Sequence, residues 1–181
     1  MSHSALASSF AAVAGGCPTV LVLGSVPGQA SLKAIQYYAH PRNAFWPIVV
    51  SAIDNTRPNH ADAHAIPYEI RIQKATDYGL ALWDVLASCH RPGSLDSNIE
   101  RSSEVANPIG EWLRSHPSVV RVCFNGKMAE TTFKRHLQAE VNATLSKRRI
   151  EFVSLPSTSP AMATLNLTEK FEQWRPALTR S

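Results

Sequence analysis

The sequence predicts a three-layer α/β/α domain built on a parallel sheet, and three observations carry that expectation. Four short apolar runs show little polar–apolar alternation, as strands buried on both faces of a parallel sheet do. Helical stretches lie between them, so strand and helix alternate along the chain. Each run is followed by a polar segment marked by Gly, Pro or small hydroxyl residues. At 181 residues, 44% apolar and 18% charged, the chain suits one compact domain over 1–181, with 1–17 as an arm or helix.

The stretch 4–16 is rich in small residues but lacks the basic lead of a secretory signal, so a short helix or loose arm is expected. Residues 19–23 (TVLVL) make the first strand and run into Gly24-Ser25-Val26-Pro27-Gly28. A helix is expected over 45–54, followed by a polar loop over 55–65. The second strand, 80–85 (LALWDV), leads into a polar loop over 88–98. Part of 107–115 is helical, and the third strand is 119–124 (VVRVCF), ending in Asn125-Gly126. A helix over 127–140 precedes the fourth strand, 150–155 (IEFVSL), and the last helix covers 167–178.

The bulk properties narrow the function. No apolar run reaches the ~18 residues of a membrane span. A net charge of +4 leans weakly toward a polyanionic partner. Cys17, Cys89 and Cys123 are odd in number and far apart, which suits buried thiols in a reducing cytoplasm. They lack metal-ligand spacing and no HExxH occurs, so no metal or cofactor is expected.

In open parallel sheets ligands bind at the carboxyl ends of the strands, where four polar loops converge here. The turn 24–28 allows close backbone approach to a phosphate or flat base, but is neither a Walker loop nor GxGxxG. In Tyr37-Tyr38-Ala39-His40-Pro41-Arg42-Asn43 the tyrosines offer a stacking surface or packing, and Asn43 is a functional amide or a helix N-cap. The stiff segment from Leu155 to Met162 is a phosphodiester clamp, through hydroxyl and backbone donors, or a plain Pro/Ser turn.

Five motifs occur in order: GSxPG at 24–28, YYxHPxNxFW at 37–46, LWDVL at 82–86, NG at 125–126 and LPSTSPA at 155–161. Together they resemble the uracil-DNA glycosylase superfamily, in particular its hypoxanthine-DNA (deoxyinosine) glycosylase branch. The resemblance implies a four-stranded parallel sheet in order 2-1-3-4 with the DNA groove at its carboxyl ends. It also implies a cofactor-free, monofunctional enzyme of base excision repair, acting as a monomer at the nucleoid in the cytoplasm. Its expected substrate is a deaminated base, most readily hypoxanthine, flipped from double-stranded DNA or alternatively taken from single-stranded DNA.

By the same resemblance Asn43 is the catalytic residue and places the attacking water. Gly24, Ser25, Val26, Tyr38, Asp84 and Asn125 are expected around the base, with Tyr38 stacking on it and Asp84 accepting its imino proton (or else capping the turn 87–90). Gly28, Ser31, His40, Arg42, Lys127, Ser157, Ser159, Pro160 and Met162 are expected on the DNA, with Met162 near the wedge. Val26 stands where mismatch-specific uracil glycosylases place an Asn, and Leu155 where most relatives place His or Asn. Three scattered cysteines do not suit the iron–sulfur branches. The alternatives are a uracil- or xanthine-preferring enzyme, a non-catalytic DNA-damage binder and a hydrolase of free nucleosides.

Overall fold

The computed structural model describes residues 6–93 and 95–179. Its main sheet has four parallel strands: β2 (Val20–Gly24), β3 (Leu80–Asp84), β6 (Arg121–Asn125) and β7 (Glu151–Leu155). The spatial order is β3-β2-β6-β7, the 2-1-3-4 arrangement expected for its four strands in chain order. Register is continuous, with Val20 opposite both Leu80 and Arg121, and Arg121 opposite Glu151.

Alternating side chains of these strands feed two cores, because successive residues of a strand point to opposite faces. Val20, Val22, Leu80 and Leu82 pack with Trp46, Ile48 and Val49 of α2 (Phe45–Asp54) and with Trp174 and Leu178 of α8 (Leu167–Leu178). Leu21, Leu23, Ala81 and Phe124 pack with Leu113 of α5 (Ile109–Ser115), Phe133 of α6 (Lys127–His136) and Val141 of α7 (Gln138–Thr144). Two-sided burial explains why the strands carry continuous apolar runs. Both α2 and α8 have the bounds that their sequence pattern gives. A reciprocal Asn166–Glu169 capping box starts α8.

Other segments depart from expectation. The described part of the N-terminal arm is not helical: β1 (Leu6–Ser8) pairs antiparallel with β4 (Leu86–His90), and Val13 bridges to Leu82. The small sheet is completed by β5 (Val105–Ala106). Strands of two to five residues give too little alternation to be seen in sequence, so the expected loop at 88–98 begins as strand. The expected loop at 55–65 contains α3 (His60–Ala65), whose first turn is capped by Asn59 Oδ1 accepting from Ala61 and Asp62. The helix expected over 127–140 breaks at Leu137 into α6 and α7. Two further helices, α1 (Gln29–Ala34) and α4 (Tyr68–Asp77), lie in segments left without an element. Cys89 and Cys123 are buried, but Cys17 is exposed. Among the described residues no helix is long and apolar enough to cross a membrane.

The turn between β6 and α6 is tight and left-handed. Gly126 has φ 92°, and a Cβ there would lie 2.8 Å from the Ser157 Cβ. Gly126→Ala should therefore lower the unfolding free energy by about 1–3 kcal/mol, measured by urea titration. An unchanged midpoint would show that the turn relaxes freely.

Candidate active site

The carboxyl ends of β2, β3 and β6 and the segment after β7 surround a cleft of about 600 Å³. Of the site residues expected from sequence, all line this cleft except Arg42. Arg42 is exposed at its edge, its backbone N–H donating to His40 Nδ1 at 3.1 Å.

At the floor, Asp84 ends β3 with its carboxyl buried. Ser9 Oγ donates to Asp84 Oδ2 at 2.9 Å, whereas Oδ1 lies over Gly24, where a Cβ would meet it at 2.6 Å. Burial raises the Asp84 pKa to about 7, with the Asp96 charge adding and the Ser9 hydrogen bond and Arg91 opposing. Residues 87–90 belong to β4, so Asp84 caps no turn there. Tyr38 stands beside it with left-handed backbone, φ 56°, a conformation costly for a residue with a Cβ. Its ring stacks on Phe45 with centroids 3.9 Å apart, so one face is covered. Its hydroxyl is buried without a partner in good hydrogen-bond geometry. Burial first, then the charge of Asp84, raises its pKa and keeps it protonated.

Asn43 opens α2 from the rim. Its Oδ1 accepts the Phe45 N–H at 2.9 Å in a turn just before the helix, whose N-cap is Ala44 and not Asn43 as the sequence suggests, and the residue lines the cleft. At the end of β6, both amide atoms of Asn125 are engaged by one residue. Thr158 N–H donates to Asn125 Oδ1 at 2.8 Å, and Asn125 Nδ2 donates to Thr158 Oγ1 at 2.9 Å. Ala44 N–H donates to the Thr158 carbonyl at 2.9 Å, tying the α2 start to the same loop. Ser157 and Ser159 hydroxyl oxygens accept backbone N–H groups of Ser159 and Ala161, both at 3.2 Å, which leaves their O–H protons free to donate. Ser31 accepts from Ala39 N–H and holds the HPRN turn to α1. Lys127 pairs with Glu130 at 2.8 Å. Hydrogen bonds from Lys127, Lys134 and Ser154 hold the Glu130 pKa down to about 2.

Several groups that shape the cleft carry no obvious sequence signal. Lys170, buried on α8, donates to the Met162 carbonyl at 2.8 Å, and Trp174 Nε1 to the Pro156 carbonyl at 2.9 Å. On the other wall, buried Arg91 donates to the Pro27 carbonyl and lies 3.5 Å from Asp96, which accepts from Ser25 Oγ at 2.6 Å. Val26 packs with Ala7, Leu86 and Cys89 beneath the GSVPG turn. Away from the cleft, His60 and His64 sit four apart on α3 with parallel rings. Among the described residues no group of three His, Cys, Asp or Glu side chains could hold a metal ion.

A parallel sheet of this order, with a cleft at its carboxyl ends walled by these loops, defines a uracil-DNA glycosylase-like domain. A solution structure from Methanosarcina acetivorans, described as that of a candidate uracil DNA glycosylase, matches it with TM-score 0.73 and 27% identity over 96% of each chain. No family model matches the chain. Two curated relatives named hypoxanthine DNA glycosylase, from Methanosarcina barkeri and Methanosarcina acetivorans, are each 34% identical. The matches span 60% and 61% of this chain but 63% and 65% of those proteins, less than two thirds of their length. The chain thus has the fold of the Methanosarcina acetivorans neighbour, and its sequence likeness falls on proteins named hypoxanthine DNA glycosylase.

The buried acid makes stability depend on pH. The unfolded chain releases the Asp84 proton near 3.8 and the folded chain near 7, so between them only the folded state keeps it. Stability from this group is full below 3.8 and is lost as pH rises through 7. Urea titrations should show the wild type losing up to a few kcal/mol across that window, a tenfold change in proton affinity being about 1.4 kcal/mol. Asp84→Asn should be flatter over the same range. Parallel curves would make Asp84 an ordinary ionised carboxylate.

Proposed function

We propose that the chain is a monofunctional DNA glycosylase that removes a deaminated base, most readily hypoxanthine, from double-stranded DNA. The observation that carries this reading is that Asn43, through its neighbour Ala44, is joined to the Asn125-bound LPSTSPA loop at a cleft large enough for one base. The names of the Methanosarcina relatives support the same chemistry. A base within the duplex is out of reach, so the target is flipped into the cleft, most cheaply at a mismatch. Met162, on the outer lip, is placed for the gap left behind. Ser157, Ser159 and the backbone around Gly28 and Pro160 grip phosphates, with His40, Arg42 and Lys127 at the edge.

Glycosidic cleavage that develops an oxocarbenium-like sugar needs a well-placed water more than a strong base. Asn43 supplies that placement: Phe45 N–H uses one lone pair of its Oδ1 and fixes the amide, and the second lone pair holds the water. Val26 offers no hydrogen bond to a water, which leaves this role to Asn43. Asp84 accepts the imino proton of the base. Lys127 is paired with Glu130 and Lys170 with carbonyl oxygens, an arrangement that favours hydrolysis over Schiff-base chemistry. The chain acts as a monomer on nucleoid DNA. A uracil preference is the second reading, favoured by the uracil DNA glycosylase name of the structural neighbour.

Alkaline cleavage of duplexes carrying hypoxanthine, uracil or xanthine tests this. Hypoxanthine release should fall about 10²-fold or more in Asn43→Ala, with duplex binding retained. Release that survives the substitution returns Asn43 to its turn alone. Tight lesion binding with no release from any duplex replaces the enzyme with a damage binder.

A further inference from the structure

Resting on the glycosylase reading, we propose that the Tyr38 hydroxyl donates to the exocyclic oxygen of the departing base, while Asp84 Oδ1, oriented by Ser9, accepts from the adjacent ring N–H. The convergence is visible at Gly24: one point, the Cβ that residue lacks, lies 2.6 Å from Asp84 Oδ1 and 3.4 Å from the Tyr38 hydroxyl. The hydroxyl is buried and meets no partner in good hydrogen-bond geometry, with the Thr158-bound Asn125 amide as its polar neighbour. A buried donor left unmade is costly, and an arriving acceptor removes that cost. The stacking face of Tyr38 already rests on Phe45, so its polar end is the part offered to a ligand.

Ser9 decides which carboxyl oxygen is free. Its Oγ lies 2.9 Å from Asp84 Oδ2 and 3.1 Å from the Phe10 carbonyl, so Oδ2 is held on the arm and Oδ1 is turned to the cleft. Ser9 is thus a positioning residue. A donor beside an acceptor matches the C=O and N–H edge that deamination creates in hypoxanthine, xanthine and uracil. Adenine in the same orientation sets a bare ring nitrogen against the carboxyl and an amino group against the phenol.

During hydrolysis the C1′–N9 electron pair leaves with the base, the water oxygen bonds to C1′, and the water proton passes to the released base. Charge grows on the base oxygen as that bond breaks, and a donor aimed at it is worth most then.

The test compares hypoxanthine with unsubstituted purine, which lacks the oxygen, in single-turnover release and in duplex binding. Tyr38→Phe should slow hypoxanthine release about 10²-fold and leave purine unaffected. Equal losses on both bases, or no loss, overturn the assignment. Ser9→Ala should narrow the preference for hypoxanthine over 1-methylhypoxanthine, which has no ring N–H to give, and Ser9→Thr should restore it. An unchanged preference returns Ser9 to packing. Where the wild type releases no base at all, the glycosylase reading fails by itself and binding judges the pair. The hypoxanthine-over-purine affinity ratio should then drop about tenfold in Tyr38→Phe, and an unchanged ratio overturns it.

Discussion

The cleft depends on the two hydrogen bonds between Asn125 and Thr158. An amide that accepts from a backbone N–H and donates to the hydroxyl of the same residue has no rotational freedom left. That lock joins the end of β6 to the segment following β7. Through the Ala44 N–H it extends to the start of α2, one residue from Asn43. Lys170 and Trp174 hold the same segment from behind by its carbonyls. Buried polar groups satisfied in this connected way stiffen a site, because moving any one of them strands another without a partner. The start of α2 and the last loop are therefore held as one unit, the kind of preset placement from which the proposed reaction would gain rate.

The floor obeys a different constraint, desolvation. Burial works against the charged forms of Asp84 and Tyr38 alike, and it is the largest influence on both. A base leaving with negative charge meets least repulsion where the nearby acid is neutral and a hydroxyl can donate. Gly24 contributes by absence: without a Cβ, the carboxyl oxygen can lie against the backbone. The N-terminal arm takes part in this chemistry, since Ser9 follows directly on β1 and reaches the carboxyl only because β1 is paired with β4.

The sheet and its helices were legible in the sequence because two-sided burial writes an apolar run at the inner strands, although the edge strand β7 is largely exposed. Leu80 to Asp84 and Phe45 to Asp54 are examples. The cleft was legible because its residues cluster in short motifs directly after those strands. What the sequence hid has a common physical cause. Ser9 and Arg91 lie 75 and 64 residues from the Asp84 and Pro27 oxygens that they bond, and Lys170 reaches back from α8 to two carbonyls of the last loop. No periodicity marks such a bond. The arm escaped for the same reason, as three residues of strand are too few to alternate, and α3 escaped because its Asn59 cap precedes only two turns of polar residues.

Charge then separates attraction from grip. Arg91 and Lys170, the cations nearest the loops, are buried on backbone carbonyls, and Lys127 shares Glu130 with Lys134. Their positive charge is committed to the protein's own oxygens. A net charge of +4 raises the local concentration of a polyanion without choosing a register on it. On the proposed function, register falls to neutral donors, the Ser157 and Ser159 hydroxyls and backbone N–H groups, whose directions are fixed by the pinned loop. Phosphate contacts of that kind position a strand rather than read it. On the same reading, recognition of the base is left to the few buried polar atoms at the floor.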